Sequence, residues 1–97
     1  MRSKYLNISV MRDYVKSHFD MYSLYDAVEV AEAVGYPGKH RLIRYYLNRM
    51  TREGMLIKVV WKHRRRMFYG LRSLEYVFRT FPELFKRTAT NTYEWGR

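Results

Sequence analysis

The chain of 97 residues has no cysteine and no glutamine, only two prolines and five glycines, and asparagine at just three positions. Without cysteine there is no disulfide framework and no thiolate metal site, which excludes the small secreted scaffolds that depend on either. No uninterrupted apolar run reaches the length of a signal sequence or a membrane span, including after the basic residues of Met1 to Tyr5. A soluble, cytoplasmic protein with no membrane partner is therefore expected. The lack of glutamine and the few asparagines, beside abundant Arg and Tyr, follow a thermophile trend. His18, His40 and His63 are far apart and have no paired carboxylate motif, so no metal site is expected. No glycine-rich phosphate loop is present, and Ser9, Ser23 and Ser73 read as helix caps rather than nucleophiles. No acid, base and nucleophile set can be assembled, so neither an enzyme nor a cofactor is expected.

Acidic residues are the other scarcity: nine Asp and Glu stand against nineteen Lys and Arg, a net charge of +10. The excess is local. Residues 39 to 66 hold ten basic side chains and one acid, Glu53, a charge of +9 in that stretch. Residues 23 to 38, just before it, carry Asp26, Glu29 and Glu32 and no Lys or Arg. Charge sorted in this way points to a polyanionic partner bound on one part of the molecule.

The length fits one domain with a modest core, placed at residues 1 to 87, followed by a polar tail at 88 to 97 that is assigned no structure. Ile8, Met11, Val15 and Phe19 recur at helical spacing and predict an amphipathic helix from Asn7 to Phe19. A brief extended piece at Met21 and Tyr22 precedes Ser23, which forms a Ser-x-x-Asp capping box with Asp26. The helix that follows carries Leu24, Ala27, Val28, Ala31 and Val34 on one stripe and ends at Gly35. Tyr36, Pro37 and Gly38 make a turn. A third helix then begins near Pro37 to Lys39 and runs to Glu53, before Gly54. Its core face holds Leu42, Ile43, Tyr46, Leu47 and Met50, and Arg41, Arg44, Tyr45, Asn48 and Arg52 lie opposite. After Gly54 the pattern turns to β-type residues. Leu56 to Trp61 and Met67 to Leu71 read as a hairpin whose tip is Lys62-His63-Arg64-Arg65-Arg66. Ser73 caps a last helix with Leu74, Val77, Phe78 and Phe81, and Thr80-Phe81-Pro82-Glu83 reads as a second capping box.

The run from Gly35 through the helix to Glu53-Gly54-Met55-Leu56-Ile57, inside the order helix, short strand, helix, turn, helix, hairpin, resembles the winged-helix branch of the helix-turn-helix DNA-binding proteins. The resemblance covers about residues 7 to 71, and the composition is similar to that of small transcription regulators of archaea, bacteria and archaeal viruses. It implies an α+β fold: three helices, a two-stranded wing with room for a short third strand, and a C-terminal helix. It also implies sequence-specific binding of double-stranded DNA in transcription control. The N-terminal half of the recognition helix would present Lys39, His40, Arg41, Arg44 and Tyr45 to base edges in the major groove, with Asn48 suited to adenine. Arg49 and Arg52 would meet phosphates. The wing residues Lys62, Arg64, Arg65 and Arg66 would enter the minor groove or ride on the backbone. Tyr45 either stacks on a sugar or packs on the wing. The aromatic C-terminal segment either completes the monomer by packing on the first helix or forms a two-fold contact in a homodimer. Two other functions remain open: an RNA-binding or architectural nucleic-acid module, and a protein-interaction adaptor in which the basic face is incidental.

Overall fold

Asn7 opens the first helix, α1 (Ile8–His18), by accepting a hydrogen bond from the Val10 amide at 2.9 Å. The computed structural model describes residues 5–96 and shows an α+β chain of four helices and one four-stranded mixed sheet. The order is α1, α2 (Ala27–Ala33), α3 (His40–Arg52), β1 (Leu56–Trp61), β2 (Arg66–Leu71), a 3-10 turn (Arg72–Leu74), α4 (Glu75–Thr80), β3 (Phe85–Ala89) and β4 (Thr92–Trp95).

The capping residue of α2 is Asp26, not Ser23. Its carboxylate accepts from the Glu29 amide at 2.9 Å, and the Glu29 carboxylate accepts from the Asp26 amide at 3.0 Å. A carboxylate at the helix N-terminus also meets the positive end of the helix dipole, an advantage that Ser23 lacks. The Ser23 hydroxyl instead donates to Asp20. Ser9 lies inside α1 and Ser73 inside the 3-10 turn, so none of the three serines caps a helix. Leu24 falls before α2, and Val28 is half exposed; the stripe that packs is Ala27, Val30 and Ala31. Small side chains there let α2 approach α3 closely. On α3, Ile43, Leu47 and Met50 are fully buried, whereas Leu42 is exposed. The helix stops before Gly54, whose φ of +88° is open to glycine at little cost.

Within the sheet the strand order is β2-β1-β4-β3. β1 and β2 form the expected hairpin, in register from Leu56 opposite Leu71 to Trp61 opposite Arg66. Met21 and Tyr22, expected to be extended, form a turn, and the extended piece before α2 is a single antiparallel bridge at Tyr25, to Tyr69, on the outer edge of β2. The polar tail is the main departure from the sequence reading. Residues 85 to 95 fold back as β3 and β4, and β4 runs parallel to β1 with Lys58 beside Thr92 and Trp61 beside Trp95. β1 is therefore an inner strand. Leu56, with Tyr69, packs under the helices among Met11, Val15 and Phe19. Ile57 and Val59 face the other way, onto Leu74, Phe78 and Tyr93. Burial on both faces is why β1 reads as a nearly continuous apolar run.

The C-terminal aromatic segment thus packs on the far side of the sheet and not on α1. Thr80 to Glu83 opens no helix: Thr80 ends α4 and donates to the Tyr76 carbonyl, and a turn leads straight into β3. Asn91, at the β3–β4 turn, holds this hairpin to the rest of the molecule. It is buried with φ +59°. Its amide donates to the Thr51 carbonyl at 3.0 Å, its side-chain oxygen accepts from Arg72 at 3.1 Å, and its backbone carbonyl accepts from the Lys58 amide at 2.9 Å.

Replacing Asn91 by Ala removes the side-chain bonds and places a Cβ-bearing residue without a compensating contact in the left-handed region. The expected loss is about 2 kcal/mol, or roughly 10 °C in Tm for a domain of this size. Asn91→Gly keeps the backbone conformation and should lose less; thermal unfolding followed by circular dichroism checks both.

Candidate nucleic-acid interface

The exposed side of α3 runs alongside the β1–β2 hairpin, and two clefts mark the seam. In the first, of about 140 Å³, Arg44 meets Arg65, Arg66 and Met67 of the hairpin and Asp26 to Val28 at the start of α2. In the second, of about 440 Å³, Asn48, Thr51 and Arg52 of α3 face Lys58 of β1 and Ala89, Thr90 and Thr92 of the β3–β4 hairpin. The first cleft contains one acid and the second none. Lys58 is held below the ordinary lysine value by burial and, secondarily, by the Arg44 guanidinium. Two cations close enough to disfavour each other, one of them partly desolvated, are arranged to gain from an arriving anion.

The fixed point of this seam is Tyr69. Its side chain is fully buried, and its hydroxyl donates to Asn48 Oδ1 at 2.7 Å. Burial pushes the Tyr69 phenol up to about 12, against a smaller lowering by Arg44. The bond revises the role expected of Asn48. Bidentate pairing with adenine needs both the side-chain oxygen and the amide nitrogen, and here the oxygen already serves the hairpin.

Other expected residues divide into those facing the seam or solvent and those turned elsewhere. Lys39 and Arg41 are exposed at the start of α3, and His40 is half-buried there. No side-chain hydrogen bond caps this helix, and its first turn contains no acid. Tyr45 is 54% exposed and meets Tyr46 edge-on. Arg52 is exposed at the far end of the same face. Arg49, expected on phosphates, belongs to the α1 side: its Nε lies 3.2 Å from Glu53, which Arg12 also grips at 2.7 and 2.9 Å. The hydrogen bond from Arg12, more than that from Arg49, holds the Glu53 carboxyl below the usual glutamate range.

At the hairpin tip, Lys62, Arg64 and Arg65 are exposed. Arg64 lies over the Trp61 ring at 5.6 Å from its centroid. Arg66 is not a free cation: it bonds Asp26 at 2.8 Å and lies 5.3 Å from the Phe68 centroid. Arg65 has φ +52°, an unfavourable conformation for a residue with a Cβ, held at the turn between paired strands. Lys58, Thr90 and Thr92 were not among the expected site residues. Strand alternation was the available signal for Lys58, two positions from the inward Leu56. Thr90 and Thr92 enter only through the pairing of β4 with β1. Among the described residues no group of His, Asp and Glu could hold a metal ion, and no helix is long and apolar enough to cross a membrane.

The raised Tyr69 value has a definite sign. A phenol held protonated in the folded state contributes stability below pH 10 and loses it as pH rises toward 12. Denaturation midpoints measured across this window should fall more steeply for the native chain than for Tyr69→Phe. Parallel curves would show that another group governs the alkaline transition. No protein-family model, curated protein or solved structure matches the chain.

Proposed function

We propose that the chain binds double-stranded DNA through α3 and the β1–β2 hairpin, as a winged-helix regulator of transcription. The observation that carries this reading is the convergence of cations from both elements on one seam: Arg44 beside Arg65, and Arg52 beside Lys58. Thirteen residues of helix extend about 20 Å, enough to lie along a major groove about 12 Å wide. The element order through β2, with an extended bridge at Tyr25, is the order expected of a winged helix; β3 and β4 are an addition beside it.

In this reading Arg41, Tyr45 and Arg44 meet base edges, since they stand on the solvent or hairpin side of α3. The uncapped N-terminus near Lys39 and His40 suits a phosphate, as do Arg52 and Lys58. Lys62, Arg64 and Arg65 follow the adjacent backbone or minor groove. Arg49 has no part, because Glu53 neutralises it on another side. One chain supplies the whole surface. A homodimer through the C-terminal segment would have to use Tyr76, Phe81 and Leu84, since Leu74 and Phe78 are buried within the chain.

Neutralising about six phosphates gives a slope near −5 for log K against log salt. Arg44→Ala should cost about 1–3 kcal/mol on the preferred site and relax its selection. Arg65→Gly removes charge while keeping the turn conformation, and should weaken all duplexes alike, lowering the salt slope by about 1. Selection from a random duplex pool followed by salt titration of each variant tests this. Equal losses on every sequence for both variants would refute the division of roles.

A further inference from the structure

The sheet face turned away from α1 to α3 is covered at one end only. Leu74 and Phe78 close over Ile57, Val59 and Tyr93, but toward the hairpin tip the face opens into an apolar cleft of about 440 Å³. Its lining is Leu24, Val59, Trp61, Phe68, Phe85 and Trp95. The sheet register lays these out in two rows. One crosses all four strands as Arg66, Trp61, Trp95 and Phe85; the next runs Phe68, Val59, Tyr93 and Arg87. Trp61 and Trp95 fill the middle of one row and Val59 and Tyr93 that of the other, and each outer strand contributes an arginine. The Trp61 and Trp95 rings are 5.3 Å apart with planes tilted by 36°, and Trp95 is 39% exposed.

The charge at the border selects among occupants. A second copy of this chain brings +10 and the same cationic border, so self-association on this face is opposed. A wholly apolar ligand would make no use of the exposed guanidinium groups of Arg64 and Arg87. The guanidinium groups of Arg64 and Arg66 already lie over the Trp61 and Phe68 rings, so flat groups fit these faces, and an arriving base would take the place of a guanidinium there. An occupant with flat rings inside and anions outside satisfies floor and border together.

We propose that this face binds single-stranded nucleic acid, with unpaired bases stacked on Trp61, Trp95 and Phe68 and phosphates held by the exposed Arg64 and Arg87. Stacking on aromatic side chains inside a cationic groove is the physical basis of sequence-tolerant single-strand binding. The floor offers rings rather than hydrogen-bonding groups, so base identity matters little here. The aromatic floor lies on the opposite face of the sheet from the duplex seam, with Arg64 at the hairpin tip within reach of both, and the proposal stands whether or not duplex binding is found.

Both tryptophans of the chain line this cleft, so its intrinsic fluorescence reports on it selectively. Titrating the full chain with a short oligothymidylate should give saturable quenching that weakens with salt. With a labelled oligothymidylate followed by anisotropy, Trp95→Ala should weaken binding by about tenfold or more, and Trp95→Phe should keep most of it. Arg87→Ala, an exposed change independent of the aromatic floor, should weaken binding and lower the salt slope; circular dichroism establishes that each variant is folded. Arg44→Ala should leave oligothymidylate binding intact while impairing duplex binding. Absence of quenching overturns the proposal, as does an unchanged affinity in Arg87→Ala. Loss of single-strand binding in Arg44→Ala would place that ligand on the duplex seam and also overturn it. Quenching by an acidic amphipathic peptide but not by the oligonucleotide would make the face a peptide groove instead.

Discussion

The Tyr69 side chain has no exposed surface, yet its hydroxyl needs a hydrogen-bond acceptor, and Asn48 on α3 supplies it. A buried phenol without that partner would carry the desolvation cost of an unmade bond. The backbone of Tyr69 is equally committed, exchanging both hydrogen bonds with Tyr25 at 2.8 Å, while its strand pairs it with Lys58. One residue therefore joins the segment before α2, the middle of α3 and two strands of the sheet. Shifting the hairpin by one residue would turn this ring away from the helices and bring Gly70 or Phe68 inward. The placement of Arg65 and Arg66 against Arg44 depends on that register.

The ion pairs separate cations used inside the fold from those left on the seam. Glu53 holds Arg12 and Arg49 together where α1 meets the end of α3. Asp26 caps α2 and also holds Arg66, tying the tip end of the hairpin to the helical layer. Glu75, mostly buried, lies near Arg72 and Arg79 and accepts from Tyr93. These three acids stand at joints between elements. The acids of residues 23 to 38, whose concentration contrasts with the basic stretch after them, thus include one with a direct structural role toward that stretch. Pairs whose arginine is solvent-exposed contribute little stability, so their effect is chiefly to orient side chains.

Helices α1 to α3 and the first hairpin were legible because their signals are local: apolar residues at helical spacing, glycines at Gly35 and Gly54, and β-type residues on either side of a polar tip. The capping residue of α2 was misread because Ser23 and Asp26 satisfy the same short pattern as Asp26 and Glu29, and only the second pair has the helix placed to complete it. The C-terminal strands carried no such local signal. Lys86, Arg87 and Thr88 do not alternate cleanly, and β4 forms by parallel pairing with a strand more than thirty residues earlier in the chain. Proline at position 82 suggested a helix start, but the chain enters β3 too soon for one. Among the site residues, positions on the α3 wheel were readable, as was the i,i+4 spacing of Arg49 and Glu53, whereas Tyr69, which claims Asn48, comes from β2.

The extra hairpin alters what the basic tip can serve. With only β1 and β2, one face would pack on the helices and the other would need a cover or lie bare. β4 instead makes β1 an inner strand, and α4 covers only part of the new surface, leaving Trp61 and Trp95 at the uncovered end. Arg64 and Arg66 lean over rings on this side, while Arg65 and Arg66 border the α3 seam on the other. The strained turn at Arg65 lies where these two faces meet. If both proposed sites are used, a nucleic acid on one face competes for Arg64 with one on the other, and the two would be coupled through that shared charge.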